Sequence, residues 1–177
     1  MEMMGTISQL GYIVKDLDAA LNFWVKVLGV GPWAVVKDLS PTNFNYRGKP
    51  GELVMDCAVA NSGDLQIELI QSKSKSPNFY TECLEKGMTG IHHVSFWQDP
   101  AHFDDAYNHL VSNGFKLAQS GEVGGPDGKF AYLDNENYPG VIIEISKLGG
   151  PKAIMYRVLA DVCRYWDGED PIRYFEI

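Results

Sequence analysis

The stretch Gly90-Ile91-His92-His93-Val94-Ser95-Phe96-Trp97 has the β-branched and aromatic character of a strand, and the turn pair Asp99-Pro100 follows it. Side chains that are adjacent on a strand point to opposite faces of a sheet, so only one of the two histidines is expected to face a given cavity. We assign His93 to the cavity and His92 to the core face. The sequence therefore predicts a site in which other polar side chains converge on His93.

A strand, a helix and three further strands are predicted twice along the chain. In the first series the strands are residues 7–14, 33–37, 53–60 and 65–70, and a helix begins after its N-cap Asp16 and stops at Gly29. In the second series the strands are residues 90–97, 115–118, 129–133 and 141–146, and a helix runs from Asp99-Pro100 to Asn113-Gly114. Residues 41–50 are predicted to form a polar loop, and the linker over residues 72–89 is predicted to contain a helix within residues 77–86.

The two series also match in sequence. Residues 7–12 align with residues 91–96 at a constant offset of 84 positions, and residues 65–69 align with residues 141–145 at an offset of 76 positions. Gln9 therefore corresponds to His93, and Glu68 corresponds to Glu144. Each module would form a half-open sheet, so pairing the two modules is expected to bring these four polar side chains together around one cavity.

One imidazole, one amide and two carboxylates make a hard-to-borderline metal site. Such ligands suit Zn²⁺ best in our interpretation, with Ni²⁺, Co²⁺ and Mn²⁺ as alternatives. Four protein ligands in an octahedral shell leave two positions for water or substrate, which indicates a catalytic site. Taken singly, a histidine among apolar residues is usually a core residue and a glutamate on an apolar strand is usually an edge charge. The matching repeat positions favour the metal site.

Composition narrows the functional classes. The chain has 177 residues and a formal net charge of −8, without a run of basic residues, so a nucleic-acid groove or an anionic membrane surface is not expected. Its three cysteines form no CxxC pair, and no apolar run approaches membrane-spanning length, so we expect a cytoplasmic protein.

Residues 7–145 resemble the vicinal oxygen chelate superfamily. The sequences Val14-Lys15-Asp16-Leu17-Asp18 and Gly90-Ile91-His92-His93-Val94 are similar to those of methylmalonyl-CoA epimerases and glyoxalase I. The resemblance implies an α+β domain over residues 1–150, in which βαβββ modules at residues 6–71 and 90–147 form a half-barrel mixed sheet with a cavity. It also implies a homodimer. Residues 151–177 depart from the repeat and are predicted to form an amphipathic helical tail that ends near Asp167-Gly168.

The resemblance also implies a ligand set and a chemistry. The metal ligands of the superfamily fall on Gln9, Glu68, His93 and Glu144. Methylmalonyl-CoA epimerases carry histidine at the first position, whereas one branch of glyoxalase I carries Gln, Glu, His and Glu in this order. A metal that polarises a carbonyl stabilises the enolate formed when a neighbouring proton leaves, and Glu68 and Glu144 are the residues expected to take and return that proton. The sequence does not divide these roles between the two glutamates.

Further residues are candidates for substrate contact. The loop residues Tyr46, Arg47 and Lys49 and the linker residues Lys73 and Lys75 are candidates for binding a carboxylate or phosphate of glutathione or coenzyme A, although loop charges are more often simply solvated. Trp33, Trp97 and Tyr132 are candidates for an apolar cavity wall, although aromatic residues on strands are more often core.

Three functions are therefore weighed. The leading one is a metal-dependent isomerase, epimerase or lyase acting on a small thioester or glutathione adduct. A non-catalytic protein that sequesters a drug-like molecule, as bleomycin-resistance proteins do, is the second. An extradiol-type dioxygenase is third. An iron site of that type uses two histidines and one carboxylate, whereas this chain has Gln9 where the second histidine would be expected. Bound metal separates the first from the second, and iron marks the third.

Overall fold

The computed structural model describes residues 4–138, 140 and 142–176. Within them the chain forms eleven strands, four α-helices and a short 3₁₀ helix at Pro126–Gly128. The strands are β1 (Ile7–Ile13), β2 (Trp33–Leu39), β3 (Thr42–Tyr46), β4 (Lys49–Pro50), β5 (Met55–Ser62), β6 (Leu65–Ser72), β7 (Gly90–Gln98), β8 (Lys116–Glu122), β9 (Lys129–Asp134), β10 (Ile143–Lys147) and β11 (Ile172–Phe175). The helices are α1 (Leu17–Lys26), α2 (Phe79–Glu85), α3 (Phe103–Ser112) and α4 (Gly150–Arg164). Val141, where the last strand of the repeat was predicted to begin, lies outside the described residues.

All eleven strands belong to one mixed sheet in the order β11-β2-β5-β6-β1-β7-β10-β9-β8-β3-β4. The first half of the chain supplies β2-β5-β6-β1, and the second half supplies β8-β9-β10-β7 in the equivalent arrangement. The first strands of the two halves, β1 and β7, pair antiparallel at the centre. The predicted α+β class with an unclosed mixed sheet is confirmed.

The prediction of a polar loop over residues 41–50 was wrong, because this segment contains the β3–β4 hairpin. The hairpin turns at Arg47-Gly48, where both residues have positive φ values of 49° and 80°, as a tight two-residue turn requires. Phe44 is buried in the core, and β3 pairs with β8 of the second half. One buried aromatic in a polar segment was too weak a period-two signal to indicate a strand.

Helices α1 and α3 cover equivalent parts of the sheet. Asp16 caps α1 as predicted, since its side chain accepts a hydrogen bond of 2.9 Å from the amide of Ala19. Leu17 and Leu21 of α1 pack on β5 and β6, and α3 buries Phe103, Ala106 and Leu110 against β9 and β10. The two helices thus cover one side of the sheet and leave its other side to the cavity.

The C-terminal tail extends the same sheet. Helix α4 buries Tyr156 and Leu159 against Ala34, Cys57 and Val59 of β2 and β5, and β11 then pairs parallel to β2. The predicted helix is present but ends at Arg164. Strand β11 was not predicted, because four residues after Asp170-Pro171 are too few to show an alternating pattern. No helix among the described residues is long and apolar enough to cross a membrane.

Candidate metal and active site

Four adjacent strands in the order β6-β1-β7-β10 each supply one of the predicted ligands. Strand pairing places these side chains in two neighbouring rows across the sheet. One row contains Glu68, Gly11 and His93, and the other contains Gln66, Gln9, Ser95 and Glu144. The rows lie two residues apart on each shared strand, so their side chains project from the same face.

Three of the four predicted ligands converge within metal-binding distance. The Nε2 atom of His93 lies 3.2 Å from Oε2 of Glu144 and 3.5 Å from Oε2 of Glu68, and the ligand atoms of all three lie within 4.8 Å of one another. Ligand atoms about 2.1 Å from one ion, at octahedral or tetrahedral angles, are roughly 3.0–3.4 Å apart. The two distances from His93 Nε2 are therefore close to those expected around a shared divalent ion.

The hydrogen bonding of these atoms supports the same interpretation. His93 Nε2 and Glu144 Oε2 are both buried, and neither makes a hydrogen bond of acceptable geometry within the described part of the chain. Their separation of 3.2 Å is that of an ion pair between protonated His93 and Glu144, a contact that a divalent ion would replace by binding both atoms. One imidazole and two carboxylates are a donor set that Zn²⁺ and its borderline neighbours accept.

The fourth predicted ligand, Gln9, lies in the same cavity with a different set of contacts. It is almost fully buried, and its Nε2 donates a hydrogen bond of 2.7 Å to Oε1 of Gln66. This bond uses the amide nitrogen, so the Gln9 carbonyl oxygen is the atom that would bind a metal.

The prediction that His92 and His93 face opposite sides was wrong. Gly11 pairs with His93 and Tyr12 pairs with Ile91, so His92 is an extra residue in the β1–β7 ladder. Such a β-bulge breaks the strict alternation of side chains. As a result, the two Nδ1 atoms lie 3.0 Å apart, and His92 packs among Phe79, Tyr80 and Tyr132.

Electrostatics separates the two histidines. Burial lowers the pKa of His93, but the carboxylates of Glu144 and Glu68 outweigh that effect and raise it to about 9. Burial lowers the pKa of His92 well below 6.5, and the neighbouring His93 lowers it further. His92 is therefore neutral, and its Nδ1 accepts from Nδ1–H of His93. This bond orients His93 so that Nε2 faces the carboxylates, as outer partners of metal-bound histidines do.

Gly11 makes room for the imidazole of His93. A Cβ at this position would lie 1.8 Å from Cε1 of His93, far inside van der Waals contact. His93 in turn affects Glu144. Burial raises the pKa of the Glu144 carboxyl, but the contact with His93 outweighs burial and holds that pKa below its ordinary value. The metal-free site therefore holds an imidazolium between two carboxylates.

Gln9, Glu68 and Glu144 line a cavity of about 410 Å³, whereas His93 contacts both carboxylates without lining the cavity itself. Its wall is mainly apolar, with residues from β2, β5, β9, α4 and β11: Ala34, Val36, Leu39, Met55, Val59, Phe130, Met155 and Phe175. Its polar lining includes Gln9, Glu68, Glu144, Tyr80, Tyr132 and Lys152. The Cys57 thiol also lines it and donates a hydrogen bond of 3.3 Å to Oε1 of Glu68.

The predicted substrate residues are divided between this cavity and other places. Tyr132 lines the cavity, and its hydroxyl accepts from that of Tyr80 at 3.0 Å. Trp33 is fully buried in a core cluster under α1, and Trp97 packs on Tyr156 with ring centres 5.1 Å apart. Neither tryptophan lines the cavity.

The cationic candidates lie away from the cavity. Arg47 forms ion pairs with Glu82 at 2.9 Å and Asp134 at 2.8 Å, and Tyr46 donates to the same Glu82 at 2.7 Å. Lys73 pairs with Asp38 and Asp56. The remaining two, Lys49 and Lys75, are exposed.

Sequence reasoning missed His92, Cys57, Lys152 and Tyr156 at or beside the site. The His-His pair was visible, but a bulge has no signal in the sequence of one strand. Lys152 and Tyr156 lie in the tail, where no repeat relation indicates a place in the sheet. Their approach to the cavity depends on how α4 packs.

Two similar halves that bring polar side chains from four central strands together are the arrangement expected of the vicinal oxygen chelate class. A family model described as the Glyoxalase/Bleomycin resistance protein/Dioxygenase superfamily matches residues 8–132. The chain belongs to this superfamily, and the resemblance inferred from the sequence is confirmed. A search of curated proteins finds no match.

Solved structures share the fold at low sequence identity. Methylmalonyl-CoA epimerase from Mycobacterium tuberculosis superposes with a TM-score of 0.54 and 19% identity, covering 84% of this chain and 90% of its own. A hypothetical protein from Bacillus halodurans C-125 gives a TM-score of 0.52 and 21% identity, with 80% and 92% coverage. These likenesses establish the fold and leave the reaction to the site.

Proposed function

We propose that this protein is a metal-dependent isomerase, epimerase or lyase that removes a proton from a carbon next to a carbonyl group. The observation that carries the proposal is the convergence of Glu68, His93 and Glu144 within metal-binding distance. The structural likeness to methylmalonyl-CoA epimerase agrees with this type of reaction. Zn²⁺ is the proposed ion, and Ni²⁺, Co²⁺ and Mn²⁺ fit the same donors.

The residues divide the work as follows. All four residues, Gln9, Glu68, His93 and Glu144, would hold the ion, with His92 orienting the His93 ring. An ion bound there supplies Lewis acidity, which stabilises negative charge developing on a carbonyl oxygen. Glu68 and Glu144 lie on either side of His93 and are the groups that accept the proton and return it. The apolar wall excludes water, which strengthens these electrostatic interactions.

Elemental analysis of protein purified without chelators tests the metal site. We expect about one equivalent of zinc, nickel, cobalt or manganese in the wild type and its loss in His93→Ala, with Met155→Leu as a cavity-wall control that retains it. Absence of metal from the wild type, even after reconstitution, would overturn the proposal and leave the sequestering protein, which the apolar wall of the cavity favours.

Hydrogen exchange with solvent tests the reaction. Deuterium from D₂O should enter methylmalonyl-CoA or the methylglyoxal–glutathione adduct if either is a substrate, and Glu144→Gln or Glu68→Gln should slow it at least about 100-fold. Full exchange in both variants would exclude the carboxylates as bases. Stoichiometric iron would instead favour the dioxygenase, although His93 is the one histidine among the described residues whose ring lies against the two carboxylates.

We further propose that the protein is a cytoplasmic homodimer, as expected from the sequence. The free thiols of Cys57, Cys83 and Cys163 agree with a reducing compartment. Light scattering of the purified chain tests the dimer.

A further inference from the structure

Lys152 brings a positive charge from the C-terminal tail to the apolar cavity. It lies in the first turn of α4 and lines the cavity that contains Glu68 and Glu144. Its Nζ donates to the hydroxyl of Ser146 on β10 and lies over the ring of Tyr156, 5.6 Å from the ring centroid. Across the part of the chain that the structure describes, no carboxylate oxygen lies within 4.0 Å of this ammonium group.

Helix stability does not account for a lysine at this position. A cation in the first turn of a helix is disfavoured by the helix dipole, and α4 has no acidic residue in that turn to offset it. Burial lowers the pKa of Lys152, and the more distant Glu144 and Glu68 counteract this effect only in part. One hydroxyl and the face of one aromatic ring offset only part of the cost of removing an ammonium group from water, and neither carries a negative charge.

The charge balance of the site indicates the sign of that partner. Two carboxylates, Glu68 and Glu144, neutralise one divalent ion when His93 binds as a neutral ligand. The charge of Lys152 then has no counterpart at the cavity, and a single negative group on the ligand would supply one.

The rest of the wall limits the ligand to one such group. Lys152 is the one basic residue among those that line the cavity, whereas Arg47 and Lys73 form ion pairs elsewhere. A ligand with several phosphates, such as coenzyme A, would find no further cation at this wall. The apolar residues of β2, β5 and α4 would instead contact a hydrocarbon body.

We propose that Lys152 binds the carboxylate of a compact, otherwise apolar acid, and that this contact selects the ligand of the cavity. The inference rests on the proposed function, in that the same acid carries the carbonyl group next to which the proton is removed. It makes Lys152 a specificity-determining residue from the tail, outside the repeated modules.

Calorimetric binding of a matched pair of probes tests this assignment. The acid 3-phenylpropanoate and its neutral amide 3-phenylpropanamide differ mainly in charge. At pH 7 the wild type should bind the acid at least about tenfold more tightly than the amide, as expected for a charge-assisted contact. Lys152→Met should abolish that preference, and Lys152→Arg should keep most of it. Lys147→Met, which removes a lysine beside Phe103, is the matched control and should keep all of it.

Several outcomes would overturn the assignment of Lys152. These are equal binding of acid and amide by the wild type, no binding of the acid, or an unchanged preference in Lys152→Met. Tighter binding of coenzyme A than of the acid would also exclude a compact ligand. Because a bound divalent ion also binds carboxylates, the comparison is made on metal-free and metal-loaded protein, and Lys152→Gln replaces Lys152→Met if the melting temperature shows that the latter does not fold.

Metal analysis of the same samples separates this inference from the proposed function. Metal present without a preference for the acid would overturn the role of Lys152 alone. A preference for the acid in a protein that cannot hold metal would overturn the proposed reaction and leave Lys152 as the anchor of a binding protein.

Discussion

Binding of a divalent ion at Glu68, His93 and Glu144 should release close to one proton at pH 7.5. The two carboxylates raise the pKa of His93 to about 9, so roughly 97% of the metal-free protein carries an imidazolium at that pH. A metal takes the neutral imidazole, and the proton must therefore leave. A histidine at its ordinary pKa of 6.5 would release only about 0.1 proton under these conditions.

The same competition makes the apparent zinc affinity depend on pH. Between pH 6 and pH 8 the deprotonated fraction of His93 rises from about 0.001 to about 0.09, so the affinity should rise about 90-fold. Titration calorimetry in buffers of different ionisation enthalpy counts the protons, and competition with a chelating dye gives the affinities. Met155→Leu changes the cavity wall without removing a ligand atom and should behave as the wild type. Release of less than about 0.3 proton at pH 7.5, or an affinity that does not change with pH, would refute the pairing of His93 with both carboxylates.

Three further results are expected. The metal-free protein should lose about 3 kcal/mol of unfolding free energy as the pH rises from 6.5 through 9, because the raised pKa of His93 stabilises the fold only while the ring is protonated; urea unfolding at each pH measures this, and a flat profile would contradict it. Gly11→Ala places a Cβ 1.8 Å from the His93 ring, so it should lower the unfolding free energy by about 2 kcal/mol or more and weaken zinc binding at least about tenfold. The control Gly51→Ala, whose Cβ would meet Phe44 at 3.5 Å, should change neither quantity. Arg47→Met removes ion pairs with Glu82 and Asp134 and should cost about 1 kcal/mol while leaving binding of 3-phenylpropanoate unchanged; weaker binding would place Arg47 at the ligand.

The central elements were predictable because each depends on short-range patterns. The capping of α1 by Asp16 follows from residue type and spacing, and the sheet halves follow from the internal repeat. The repeat also paired Gln9 with His93 and Glu68 with Glu144, and the structure places all four on neighbouring strands. The ligand assignment itself stays a prediction until metal is measured.

The parts that were not predictable depend on long-range packing. Strand β3 follows β2 in the chain but pairs with β8 at the opposite end of the sheet. Strand β11 likewise depends on the turn after α4, which brings it beside β2. Arg47 illustrates the consequence for function, because its partner Asp134 lies 87 positions away in the chain. The sequence showed no partner for the Arg47 guanidinium, whereas the fold places two carboxylates, Glu82 and Asp134, in ion pairs with it.

The internal repeat explains why the site holds a histidine on one side and a glutamine on the other. At the repeat offsets, each residue of the row Glu68–Gly11–His93 has its equivalent in the row Glu144–Ser95–Gln9. Both rows are present in the paired strands of the sheet. Each half also has one extra residue in the β1–β7 ladder, Ser8 in the first strand and His92 at the equivalent place in the second. Both halves thus have a bulge at the same place, but the residue at the bulge is a serine in one half and a histidine in the other. Only His92 has a ring nitrogen that accepts from a neighbouring imidazole, and only Gly11 leaves space for that imidazole to lie flat against the strand. Ser95 occupies the position equivalent to Gly11, which suits the narrower side chain of Gln9 opposite it. His93 therefore depends on two differences between the halves of the repeat. Gly11 stands across the strand pair where the other half has Ser95, and His92 stands at the bulge where the other half has Ser8. The three residues act as one unit.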